Sequence, residues 1–83
     1  MNEIMMVHDE TQGKVRLVTS YKDGEHRIHH FYSKQEQNRY VEINTQVCRY
    51  EPTFNCMWEE TINAYLFKGW RLATDEERES NNG

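Results

Sequence analysis

The stretch Glu25–Tyr32 reads EHRIHHFY and places His26, His29 and His30 within five residues. Imidazoles at that density suggest a metal centre or proton handling, because histidine is the commonest metal ligand and titrates near neutral pH. On a helix the three rings would converge. On a strand His26 and His30 share a face about 13 Å apart, at about 3.3 Å per residue, and His29 points to the other side, so these three alone cannot hold one ion. A composite site with His8, Cys48 or Cys56 would have to be assembled across strands, and neither C-x₂-C nor H-E-x-x-H spacing is present. The expectation is no metal and no cofactor, with His26 and His30 at the edge of the core and His29 on an open face, where several histidines protonating together near about pH 6 would alter an interface.

Catalytic chemistry has one further candidate. Cys56 is expected near the start of a helix, where the helix dipole favours a thiolate. Phe54, Met57 and Trp58 surround it in sequence, and no loop offers an evident oxyanion hole. Glu59 and Glu60 form a pair of carboxylates, which on a helix is a solvated face more often than an acid/base pair. There is no P-loop and no dinucleotide fingerprint. The chain is read as a non-enzyme.

Charge suggests two binding chemistries. The formal charge is −4 over 83 residues. Residues 14–34 carry a local +3 and residues 51–83 a local −4. Arg16, Lys22, Arg27 and His29 around Phe31 are the ingredients of single-strand nucleic-acid binding, in which cations follow the backbone and a ring stacks on a base. Only one ring is available there, and net repulsion opposes the phosphate contacts that dominate such affinity. The acidic surface formed by Glu59, Glu60, Asp75, Glu76 and Glu77 instead suits a basic site on a protein partner. Tyr40, Tyr50, Phe67 and Trp70 exceed what one small core easily covers, and exposed aromatics are favoured interface anchors. A heterologous partner, or a homodimer through a sheet edge, would use them.

The elements that must position these residues are legible from periodicity. GKVRLVTSYKDGEHRIHHFY holds two alternating runs joined by Asp23-Gly24, the dipeptide suited to a type I′ turn. With those two as the loop, Lys22 opposes Glu25, Tyr21 opposes His26, Thr19 opposes Ile28, Leu17 opposes His30 and Val15 opposes Tyr32. Opposed residues share a face, so Arg16, Lys22, Arg27, His29 and Phe31 fall together on the side away from the core. Ile4–Val7 suggest a strand over Glu3–His8. Ser33 and Glu36 have capping-box spacing, and residues 34–38 read as a loop or single helical turn. Val41, Ile43, Thr45 and Val47 alternate with polar residues and predict a strand over Arg39–Arg49.

After Pro52 the period changes. Phe54, Met57, Trp58, Ile62, Tyr65 and Leu66 form one helical stripe over Phe54–Lys68, capped by Thr53 or Asn55 and ended by Gly69. Trp70–Ala73 read as a short last strand. The order β-β-β-β-α-β is a two-layer α+β domain, a four- to five-stranded antiparallel sheet with one amphipathic helix on the face carrying Val15, Leu17, Ile28, Val41, Ile43 and Val47. The opposite face is left to water or a partner. Residues 1–74 are the domain and 75–83 an acidic, frayed tail, although Thr74 and Glu77 have capping-box spacing.

The hydrophobic fraction is only 36%, yet two Trp, five Tyr and three Phe supply enough area for a folded chain. No apolar run reaches the roughly 18 residues needed to span a bilayer, and MNEIMMVHDE lacks signal-peptide design. A cytoplasmic address follows as the expectation, with Cys48 and Cys56 as buried or half-buried thiols. In size and charge such a chain resembles the inhibitors that phages and other mobile elements use to block a host nucleic-acid-binding enzyme or defence complex.

Overall fold

The computed structural model describes residues 2–34 and 39–79. Five strands, β1 (Glu3–His8), β2 (Gly13–Lys22), β3 (Glu25–Ser33), β4 (Val41–Cys48) and β5 (Arg71–Leu72), form one sheet in the order β4-β3-β2-β1-β5. Every neighbouring pair is antiparallel. Helix α1 (Glu51–Phe67) packs on one face, and a short helix α2 (Asp75–Glu79) follows β5. This is the expected two-layer α+β architecture. The loop or turn expected over residues 34–38 lies, apart from Lys34, outside the described residues.

The β2–β3 register is the one Asp-Gly specifies, from Lys22↔Glu25 to Val15↔Tyr32. Asp23 and Gly24 have φ of 55° and 78°, the left-handed pair of a type I′ turn. Met6 opposes Val15 and Ile4 opposes Leu17, so these four residues share the helix side. Met6, Val15 and Leu17 are fully buried there against Trp58, Ile62, Tyr65 and Trp70. Ile28, opposite Thr19, is buried as completely.

α1 begins three residues earlier than the periodicity predicts. Pro52 lies inside its first turn, where a missing N–H costs no helical bond. Tyr50 is the N-cap and makes no side-chain cap bond, so neither Thr53 nor Asn55 caps the helix. At the other end Gly69 has φ 96°, and the N–H groups of Gly69 and Trp70 bond the carbonyls of Leu66 and Tyr65 at 3.1 and 3.0 Å.

Strand β4 corrects the expected core. Val41, Ile43 and Val47 are 57%, 57% and 48% exposed. β4 is an edge strand, and a register shift between His30 and Phe31 makes its alternation change sides. Val47 opposes Arg27 on the open face, whereas Val41 opposes Tyr32 on the helix face. The residues that β4 turns beneath α1 are Asn44 and Gln46, opposite His30 and Ile28. Leu66, expected in the buried stripe, is exposed, and Thr61 is buried in its place.

The other sheet face is not left wholly to solvent. Met5, Val7 and Ala73 form a second small buried cluster, with Tyr40 packed against it. α2 lies on this side, where Asp75, Arg78 and Glu79 border Met5 and Arg16. Thr74 and Glu77 close the capping box: Glu77 N–H donates to Thr74 Oγ1 at 3.2 Å, and Thr74 N–H donates to Glu77 Oε1 at 2.8 Å. Of the segment read as a frayed tail, Asp75–Glu79 is thus helical, and 80–83 lie outside the described residues.

Candidate interaction surfaces

The three histidines of β3 are held apart. His26 stacks on Phe54 at 4.8 Å between ring centroids and lies 4.5 Å from Tyr21. His30 is buried between sheet and helix, with Nδ1 2.9 Å from Tyr65 Oη and Nε2 2.6 Å from Gln46 Oε1. Thr61 donates to the same Gln46 oxygen at 3.0 Å. The Gln46 carbonyl only accepts, so His30 donates through Nε2 and its Nδ1 accepts from the Tyr65 hydroxyl. Burial pushes the Tyr65 phenol above its ordinary pKa, consistent with a neutral donor. His29 faces the other way, with Nε2 2.8 Å from Ser20 Oγ and Nδ1 3.1 Å from Glu42. Among the described residues no three His, Cys, Asp or Glu side chains come together as a metal-binding group.

Beside His30, an open cleft of about 310 Å³ runs between β4 and α1, bordered by Ile43, Asn44, Ala64 and Lys68 as well as the network residues. Sequence reasoning missed this network. Its polar members lie under a helix, and the valine alternation of β4 assigns Gln46 to the outward face, so only Thr61, within an apolar stripe, signals it. Their hydrogen bonds are directed at one another, which makes the group a packed polar cluster bracing β4 against α1.

Arg16, Lys22, Arg27, His29 and Phe31 do share the open face, as the register requires. Their charges are largely matched within the chain. Arg16 pairs with Glu3 and lies 5.2 Å from the Tyr40 ring centroid. Arg27 pairs with Glu25 at 2.6 Å, and Glu25 also receives Arg49 at 3.2 Å. Hydrogen bonds from Arg27 and Arg49 hold the Glu25 carboxyl below its ordinary pKa. Those from Thr45 and His29 do the same for Glu42. Phe31 is half-buried with its ring 6.2 Å from that of His29, and Lys22 is exposed at the hairpin end.

The five acidic candidates do not form one surface. Glu59 and Glu60 lie on the exposed side of α1, whereas Asp75, Glu76 and Glu77 belong to α2 across the sheet. Asp75 pairs with Arg78. Glu77 is held by Arg71, which also binds Asp9 at 2.9 Å, so one guanidinium ties α2 to the β1–β2 turn. Glu76 is exposed. On α1, Glu51, Glu59 and Glu60 have no ion-pair partner among the described residues.

The exposed side of α1 carries more than charge. Cys56, Glu60, Asn63 and Phe67 fall at i, i+4, i+7 and i+11, one outward row with Glu59 beside it. Phe67 is 94% exposed, and Tyr50 at the start of the helix is 66% exposed. Cys56 is exposed rather than buried and lies beyond the first turn, where the helix dipole has little hold on it. Trp70 and Tyr40, the other two surplus aromatics, are half-buried. Among the described residues no helix is long and apolar enough to cross a membrane. Compared with protein-family models, curated proteins and solved structures, the chain matches none of them.

Proposed function

We propose that this chain is a small non-enzymatic protein-binding module that presents the outward row of α1 to a basic surface on a heterologous protein. One asymmetry supports the reading. The arginines of the open sheet face are engaged by carboxylates of the same chain, while Glu59 and Glu60 have no ion-pair partner among the described residues and lie two turns from the exposed Phe67 on the same side of α1. Unpaired acids steer a basic partner by long-range attraction, and an exposed ring supplies the apolar anchor that charge alone lacks.

The partner class that best complements this surface is a protein with a basic, nucleic-acid-binding cleft. Occupying such a cleft would inhibit it, as a mobile-element inhibitor of a host enzyme or defence complex does in the cytoplasm. Direct nucleic-acid binding through the β2–β3 face is less well supported, because phosphates would have to displace Glu3 and Glu25 from their arginines.

The test is capture from lysate of the native host, with and without nuclease, using the wild-type chain and a Glu59→Gln/Glu60→Gln variant. The expected result is one stoichiometric protein that survives nuclease and is depleted by the variant. Retention of nucleic acid alone would defeat the reading.

A further inference from the structure

Strand β4 ends the sheet with eight residues, VEINTQVC, and among the described residues no strand pairs with its outer side. It is β-branched, carries one charge and has no proline, whereas chains that keep such an edge solitary shorten it or load it with lysine or proline. The exposed Val41, Ile43 and Val47 add apolar area on both sides of the strand. The edge is therefore built to receive another strand. The remaining question is whose.

We propose that β4 pairs antiparallel with β4 of a second copy of this chain, about a two-fold axis through Gln46, to give a continuous ten-stranded sheet. The register follows from charge and from the irregularity in β4. Glu42, Thr45 and Val47 oppose Phe31, His29 and Arg27, so all three lie on the open face. Arg49 reaches Glu25 on that same face. A two-fold axis perpendicular to the sheet preserves faces, and only residues on the same face can then oppose each other.

The shift at His30/Phe31 lets Ile43 and Asn44 together occupy one position of the ladder. Centring on Gln46 then places Glu42 opposite Arg49 of the second copy, the residue just past the end of β4, twice by symmetry, and Thr45 opposite Val47. Moving the axis one position, to Thr45, sets Glu42 against Val47 and leaves Arg49 beyond the paired segment. The Gln46 register alone matches opposite charges, and it also covers Val47.

Arg49 is free to make this exchange. Its side chain is 81% exposed, and Glu25 keeps Arg27 if Arg49 leaves. Glu42, 41% exposed at its side chain, is held by Thr45 of its own strand and by His29 of β3, and on dimerisation the His29 bond gives way to Arg49 of the second copy. The Thr45 N–H, now held by Asn44 Oδ1 at 2.9 Å, would trade that bond for one across the new ladder. This assembly uses the sheet edge and not the outward row of α1, and stands independently of the partner proposed above.

Sedimentation velocity on the full chain tests it. Across about 1 µM to about 1 mM, the range of a modest interface, the mass should rise from 10.1 kDa towards twice that value. Glu42→Arg and Arg49→Glu should each weaken the dimer by about tenfold or more, since they set like charges opposite each other. The double variant Glu42→Arg/Arg49→Glu should restore it. A mass fixed at the monomer value, or a dimer that the double variant does not restore, overturns the proposal. Amide hydrogen exchange in β4 of the wild type gives a readout that needs no variant. Protection there must rise with concentration, and equal protection across the range overturns the proposal as well.

Discussion

Gln46 Oε1 lies 2.6 Å from His30 Nε2, and this bond joins the edge strand β4 to its neighbour β3 beneath a helix. Through Tyr65 and Thr61 the same pair reaches two turns of α1. Tyr65→Phe keeps the ring and removes only the hydroxyl, leaving buried His30 Nδ1 unpaired. The expected loss is about 1–3 kcal/mol in urea denaturation, the cost of a buried polar group without a partner. A double-mutant cycle with Gln46→Ala should show coupling of about 0.5 kcal/mol or more. Strict additivity would mean that the four residues do not act as one network.

On the helix side the core is built from β1, β2, β3, the inner side of α1 and Trp70, without the valines of β4, which sets an order among apolar truncations. Leu17→Ala, at a fully buried position, should cost about 3–5 kcal/mol, and Trp58→Ala, half-buried over Met6 and Val15, about 3 kcal/mol. Val47→Ala, on the open face of β4, should stay within about 0.5 kcal/mol. Equilibrium denaturation at a concentration that keeps the chain monomeric measures all three. A Val47 effect equal to that of Leu17 would return β4 to the core.

That order also shows where the sequence is legible. The β2–β3 hairpin is readable residue by residue because Asp23-Gly24 leaves two-residue turn geometry little choice and the alternation on both sides agrees with it. β4 is readable as a strand but not as to which way it faces. Val41 and Val47 look like one face in a perfect alternation, and a single shift in pairing with β3, invisible in the composition of β4, puts them on opposite sides. Thr61 fails for a related reason. Hydropathy sorts it with the solvent, and only the arrival of Gln46 from a strand fifteen residues earlier makes its hydroxyl useful inside. The acidic candidates were legible as residues but not as a surface, because β5 carries the chain across the sheet between Glu60 and Asp75.

Gly69 and Gly24 both adopt positive φ, 96° and 78°, but in different surroundings. A Cβ at Gly24 would meet nothing within 4 Å, whereas one at Gly69 would lie 3.2 Å from His8 Nε2. Gly24→Ala should therefore cost about 1–2 kcal/mol from the backbone alone. Gly69→Ala should cost more, since His8 must also give way beside Trp70, whose ring centroid is 5.3 Å from its own. Thermal unfolding of the two variants, with His8→Ala as a background that relieves the second, separates the terms. Equal losses in both backgrounds would show that the His8 contact carries no weight.

Acid should destabilise the fold through its carboxylates. The hydrogen bond from Arg71, and then that from Thr74 N–H, lower the Glu77 pKa from 4.5 to about 2. Asp9, bound by the same guanidinium, is lowered in the same direction. A carboxyl whose folded pKa is depressed contributes stability that is complete above its unfolded value and is lost as pH falls towards the folded one. The Glu77 contribution is therefore present at neutral pH and disappears between about pH 4.5 and about pH 2. Glu77→Gln should lower the melting temperature at pH 7 and differ little from the wild type at pH 2. A deficit that stays constant across this range would place the role of Glu77 in shape and not in charge.

The outward row of α1 makes a kinetic prediction in which charge and ring separate. Glu59 and Glu60 act before contact, so Glu59→Gln/Glu60→Gln should lower the association rate for the captured partner and flatten its dependence on salt, with little change in dissociation. Phe67 acts only once seated. Its ring, 94% exposed in the free chain, gains most from burial in the complex, and Phe67→Ala should raise the dissociation rate about tenfold or more while leaving association nearly unchanged. Arg27→Ala should alter neither, because its charge is already held by Glu25. Surface plasmon resonance at several salt concentrations resolves the two rates. If Arg27→Ala abolishes binding and the glutamate variant does not, the interface lies on the open sheet face and α1 is only its scaffold.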